Sequence, residues 1–262
     1  MTSPTIFAAA FSPDRAAAWC YKLCYSVVLI FLIGAPSVFA VRYLYGLYHP
    51  NQFIGTVPSI SGTTSESPTA EIFEWAMYPV AACIVTAWTL NLDMNLHRLA
   101  TAGVQSGRIG LLNTLSWACG LLGAVFLIVL AVVNLSDGHD VHMWSSEAFY
   151  VAQVLSFLFD IQCAIALRRA CPHVSTPEDR NSLRGKILVG LLTLGFSLFF
   201  LLMFVIREHL DPSIQYSAQC IYVTTEYIVV LLCFAYPLPA FPEIRSHYRR
   251  LAGARDENGG GA

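Results

Sequence analysis

The chain has 262 residues, 56% of them hydrophobic and 12% charged, with a formal net charge of −2 and a mean hydropathy of +0.57. This composition suits one membrane-embedded bundle and leaves no room for a soluble second domain, nor is a nucleic-acid partner expected.

Six apolar stretches, near 20–41, 73–92, 110–133, 147–167, 187–206 and 217–238, each supply about the ~20 residues that cross a ~30 Å hydrocarbon slab as a helix. Backbone amides and carbonyls cannot stay unpaired in lipid, and nothing alternates with the dyad period of a barrel strand, so all six stretches are predicted to be helical. The expected fold class is all-α: a polytopic membrane protein with a six-transmembrane-helix bundle. Residues 1–18 form an N-terminal tail, 19–242 the bundle, and 243–262 a second tail, its end Arg255–Ala262 reading as disordered.

The first stretch closes on Ser37-Val38-Phe39-Ala40, small residues like those before a signal-peptide cleavage site. Its apolar run exceeds the usual 7–15 residues of such a leader, which favours a retained helix. The connection over about 43–71 contains Thr56-Val57-Pro58-Ser59-Ile60-Ser61-Gly62, then Glu66, Pro68 and Glu71, a turn-forming composition. It reads either as a solvated linker or as a cap folded over the helix ends, because Phe53, Ile54, Val57 and Ile60 are costly in water. Asp93, at the end of the second stretch, reads as interfacial and solvated.

The third connection, Asn134–Glu147, gathers His139 and His142 with Asp137, Asp140 and Glu147. Gly138 and its turn-forming neighbours predict a loop there. Two readings stand: a solvated polar loop, or a proton relay or metal-binding cluster. Asn134 opens an N-x-S sequon close against the third stretch.

Acids inside the stretches cost at least ~2.5–3.5 kcal/mol unless they face the bundle or a polar cavity. Asp160 in the fourth and Glu226 in the sixth are such acids, Glu226 about 12–15 Å deep at 1.5 Å per residue. Each is either a neutral acid bonded to a neighbouring backbone or a group held for acid–base work. Of eight cysteines, Cys83, Cys119, Cys163 and Cys233 fall in the apolar stretches. Cys20 and Cys24 lie near the start of the first, Cys171 in the fourth connection, and Cys220 alone near the opposite surface. Small apolar packing, not a disulfide or zinc site, is the reading.

Thirteen of the fifteen basic residues lie in the tails and in the second and fourth connections or their flanks. Only Arg42 and Arg207 fall on the other side, so the positive-inside rule places both termini in the cytosol and the first, third and fifth connections in the lumen or outside. These two arginines either snorkel to the headgroup zone or grip a lipid phosphate with their bidentate forks.

Several segments together carry a resemblance over nearly the whole length: Pro58-Ser59-Ile60-Ser61; the third stretch from Asn113; Glu147-Ala148-Phe149; Val174 through Ser182; and Thr225-Glu226-Tyr227-Ile228-Val229-Val230-Leu231. In their order and spacing the chain resembles the post-GPI-attachment-to-proteins factor 2 family, which also takes in the amino-terminal part of the yeast GPI ceramide remodelling protein. The chain departs from that pattern where His142 precedes Ala148 by six positions and where Cys233 and Tyr236 replace a common Asn and His.

The resemblance implies a Golgi or endoplasmic reticulum membrane protein that remodels GPI-anchor lipid by returning a saturated acyl chain to a lyso-GPI. On that reading His142 or Glu226, with His139 nearby, serves as base toward the lyso-lipid hydroxyl, and Arg42 and Arg207 hold its phosphate. Ser59, Ser61, Tyr227 and Asp160 complete the candidate substrate-contacting set. The partners are a GPI lipid or other phospholipid, an acyl donor and the membrane, and no cofactor or metal is expected. The chain lacks a Gly-x-Ser-x-Gly elbow and a His-x4-Asp pattern. Three readings therefore compete: a remodelling enzyme or its lipid-handling component, a non-catalytic lipid transporter, and a scaffold whose basic segments bind anionic lipid. There is no Lys-Asp-Glu-Leu retrieval signal, so the residues alone do not select an organelle.

Overall fold

The computed structural model describes residues 21, 23–55, 57–136, 138–172 and 176–259, with side chains at all of these except 54, 55, 208 and 253–259. The N-terminal tail 1–18 and residues Cys20, Lys22, Thr56, Asp137, Val174 and Ser175 lie outside that set, as does the end of the C-terminal tail. The helices are α1 (Ser26–Tyr48), α2 (Pro50–Gly55), α3 (Ile60–Thr63), α4 (Thr69–Thr101), α5 (Gly107–Val132), α6 (His139–Ala170), α7 (Pro177–Ile206), α8 (Pro212–Ala235) and α9 (Phe241–Gly259). Two 3-10 turns, Arg207–His209 and Leu238–Ala240, flank α8, and no strand occurs among the described residues. Six of the helices are long and apolar enough to cross a membrane, and the protein is a multi-pass membrane protein.

Three of the six spanning helices, α5, α7 and α8, start ahead of their apolar stretches at polar residues that supply caps. Ser106 accepts the Ile109 amide to start α5. Thr176 and Asp179 exchange side-chain and backbone bonds in a capping box ahead of α7, with Pro177 in its first turn. Asp211 accepts the Ser213 amide in front of Pro212. Each satisfies orphan amides that lipid or a crowded loop would leave unpaired.

Two expectations are corrected by helix extension. Residues 139–146 are not loop: α6 begins at His139, and the His142 amide donates to the Gly138 carbonyl at 2.9 Å. Gly138 is tolerated at the cap, and Asp140 in the first turn complements the helix dipole. Nor is the segment after 242 a loose tail, since α9 tucks Glu243, Ile244, His247 and Tyr248 into the protein, against α4 and α7. The Tyr248 hydroxyl donates to Asp93 at 2.8 Å and lies 3.2 Å from Leu90 O, so Asp93, exposed as expected, also ties α9 down.

Each spanning helix packs on its chain neighbours, α1 on α4, α4 on α5, and so on to α8, and α8 packs back on α1. The six therefore close a ring in chain order. Its middle is filled by Trp88 of α4, Phe157 of α6 and Tyr236 after α8, the last two stacked with ring centroids 3.7 Å apart. Gly120 of α5 lies where a Cβ would collide with the Trp88 indole, so glycine lets α4 and α5 approach. Leu32, Leu111, Leu122, Leu188, Leu191, Leu198 and Leu202 point outward, as lipid-facing side chains must. Tyr43, Trp75, Trp144 and Tyr216 are exposed at one end of the ring, the placement of an aromatic interfacial belt.

That end carries the first, third and fifth connections and is called the loop face. Ser136 reaches Ser65 there, and Gln219 reaches Val57. The opposite, terminal face carries α9 and the second and fourth connections. The first connection is the cap foreseen as one of two readings: α3 folds inward, and Ile60, Thr63, Thr64 and Thr69 are buried, while Pro50, Asn51 and Gln52 of α2 stay exposed.

Candidate lipid site at the loop face

Ser59 caps α3 by accepting the Gly62 amide at 3.0 Å, which fixes the short helix so that the Ile60 amide and the Ser61 side chain point into the ring. The Ile60 amide donates to Glu226 Oε2 at 2.9 Å. Glu226 sits about 20 Å along α8 from its start at 1.5 Å per residue, and is only 4% exposed. An acid that deep is held because the re-entrant α3 brings a backbone donor down to it.

Ser61 meets His142, which is fully buried. His142 Nδ1 lies 2.7 Å from Val133 O and Nε2 lies 2.9 Å from Ser61 Oγ. A carbonyl only accepts, so the ring proton is on Nδ1. In the neutral ring Nε2 is then the acceptor, and the Ser61 hydroxyl donates to it.

Beside this pair is a cavity of about 220 Å³ among α3, α6, α7 and α8. Its polar wall includes Ser59, Ser61, Glu226 and Arg207, and its apolar wall includes Phe200, Leu201 and Phe204. Leu201 also faces the lipid side, at 42% exposure, so the cavity reaches the outer surface of the ring. Arg207 is held by a bond from Nη1 to Gln219 Oε1 at 3.0 Å and by its guanidinium carbon 4.0 Å from the Tyr222 ring centroid. Gln219 in turn donates to Val57 O, tying the arginine to the first connection.

Five of the nine sequence candidates thus line one cavity: Ser59, Ser61, His139, Arg207 and Glu226. His142 stands behind Ser61. Arg42 and Tyr227 form a separate support, with Arg42 Nη1 donating to Pro58 O at 2.8 Å and its guanidinium 5.2 Å from the rings of both Phe53 and Tyr227. His139 and His142, three apart on α6, do not converge: the first is an exposed partner of Asp140 and the second is buried. Among the described residues no group of three His, Cys, Asp or Glu side chains could hold a metal. Tyr150, Tyr222 and Glu147 also line the cavity. Gln219, Tyr222 and Glu226 recur at helical spacing on one face of α8, a stripe visible in the residues but hidden by the apolar run around it. Asn134, at the sequon, accepts a bond from the Ser136 hydroxyl.

A family profile described as Frag1/DRAM/Sfk1/Cwh43P N-terminal domain matches residues 19–247. The chain belongs to this family. No curated protein and no solved structure gives a match. The match runs from just before α1 into α9, so the Frag1/DRAM/Sfk1/Cwh43P N-terminal domain includes the packed start of that last helix as well as the six spans.

Asp160 belongs elsewhere in the domain. It is 1% exposed, bonded to Lys186 at 3.0 Å, to Asn91 at 2.9 Å and to the Tyr236 hydroxyl at 3.0 Å. Lys186 continues to Glu243 at 3.9 Å, and Arg98 joins Glu243 at 2.5 Å and Asp179 at 2.6 Å. Arg98 and Lys186 are therefore buried partners of acids within helices, not cations of the connections. Asp160 is satisfied by this network toward the terminal face and does not line the loop-face cavity.

Proposed function

We propose that this protein takes up one phospholipid-class molecule at a time, the lipid of a GPI anchor, and supports or performs the return of an acyl chain to its lyso form. The observation that carries the reading is the cavity in which Arg207, Glu226 and two serines face an apolar wall continuous with the lipid-facing surface at Leu201. At about 220 Å³ it is smaller than the roughly 300–1,000 Å³ that encloses a drug-sized ligand, and it suits a head group or ester linkage whose tails stay in the bilayer. Arg207 is the phosphate-holding cation of this reading, and Arg42 braces the loop above it. Support also comes from membership of a family whose description includes the Cwh43P N-terminal domain. The charge asymmetry supports a cavity on the side away from the cytosol, and on this reading that side is the lumen of the Golgi or endoplasmic reticulum.

Purified protein in lipid nanodiscs, given lyso-GPI and a diacyl phospholipid, is expected to form reacylated GPI. Arg207→Gln is expected to weaken lyso-phospholipid binding about tenfold or more. Binding without conversion would favour the transporter reading. Absence of lyso-phospholipid binding would remove the proposal altogether.

A further inference from the structure

We infer that Ser61 is an acyl-accepting nucleophile and that His142 is its base. The inference rests on the lipid-remodelling reading and specifies its chemistry. The pair has the parts that covalent acyl transfer requires: a hydroxyl donating to an imidazole nitrogen at 2.9 Å, and a carbonyl holding the other nitrogen at 2.7 Å in the tautomer that leaves the first one free to accept. His142 has no exposure and does not line the cavity, whereas Ser61 does. In the resting site the imidazole therefore meets a bound lipid through the Ser61 hydroxyl and activates Ser61 first; only when Ser61 Oγ is bonded to the acyl carbon does Nε2 exchange protons with the lipid oxygens on that carbon.

The donor is an acyl ester of a diacyl phospholipid. Ser61 Oγ attacks the ester carbonyl while His142 Nε2 takes the hydroxyl proton. The carbonyl then reforms, the bond to the glycerol oxygen breaks, and that oxygen leaves with the proton from His142 as a lyso-phospholipid. The product is an acyl ester on Ser61. In the second half, the free hydroxyl of the lyso-lipid acceptor gives its proton to His142 and attacks that ester, and Ser61 Oγ leaves and regains the proton. No oxidant, reductant or metal enters the balance. Arg207 lines the same cavity, where its charge holds the phosphate of the donor and acceptor lipids. Phe200, Leu201 and Phe204 offer an apolar wall to the transferred chain.

The test uses the full chain in nanodiscs with a phosphatidylcholine carrying an alkyne-tagged acyl chain and no acceptor, followed by acid quench, digestion and mass spectrometry. The tagged acyl mass is expected on the peptide containing Ser61, absent in Ser61→Ala, and reduced at least tenfold in His142→Gln. Ser61→Cys keeps a nucleophile at the site and is expected to carry the chain as a hydroxylamine-sensitive thioester, which separates loss of chemistry from loss of folding. A wild-type chain that bears no adduct under these conditions overturns the inference. Lyso-GPI reacylation that survives Ser61→Ala overturns it too, while leaving the remodelling function standing. An adduct that discharges to lyso-phosphatidylcholine but not to lyso-GPI supports the nucleophile and rejects GPI as the substrate.

Discussion

Arg98 joins acids that are far apart in the chain, Asp179 at the start of α7 and Glu243 at the start of α9, with all three side chains about nine-tenths buried or more. Removing the cation leaves two carboxylates facing each other out of water. Arg98→Met is expected to cost about 3–5 kcal/mol, the range for breaking a buried pair from one side. Adding Asp179→Asn and Glu243→Gln should recover most of that loss, because the desolvation penalty goes with the charges. Denaturant unfolding in detergent micelles reads both effects, and a single mutant as stable as the wild type would contradict the arrangement. At this scale the sequence was informative about which residues are exceptional and poor about their partners. Glu226 and Asp160 stood out as acids in apolar runs, but only the fold shows one capped by a loop amide and the other salted by Lys186. Arg98 and Lys186 looked like loop cations because their acids come from positions at least 26 residues away.

Helix ends were less legible than helix middles, for a physical reason. The apolar period stops at the edge of the hydrocarbon, whereas hydrogen bonding continues until a cap or proline ends it, which is why α6 starts eight residues before its apolar run and takes both histidines into its first turn. Re-entry of the first connection was signalled by Val57 and Ile60, which water would disfavour. The short helix α3, its cap on Ser59 and the acid it meets emerge only from the fold. Close approach of α4 to α5 depends on Gly120, where any side chain meets the Trp88 indole. Gly120→Ala is expected to destabilise by about 1–3 kcal/mol through overpacking. Thermal unfolding of the detergent-solubilised protein checks this, and Gly110→Ala, at a glycine whose Cβ would meet nothing within 4 Å, is the control.

Over the whole molecule, six spans and two distinct faces follow from apolar length and from where polar residues collect. The basic residues crowd the terminal face, and the aromatic belt marks the other. Tags placed at the two ends are expected to be reached from the cytosol in selectively permeabilised cells, and a tag in the 133–138 connection only after the internal membrane is opened. The reverse pattern would invert the lumenal assignment of the cavity. The start of α9 adds a further consequence. It is bolted under the ring by Arg98, Lys186 and the Tyr248 hydroxyl, while the first connection on the far side is tied to α1, α6 and α8 by hydrogen bonds and leaves a side window at Leu201. A carrier needs two doors that open in turn, and here one of them is locked by buried charge. On the proposed lipid-binding reading, such a vessel would receive and release its guest through the same window.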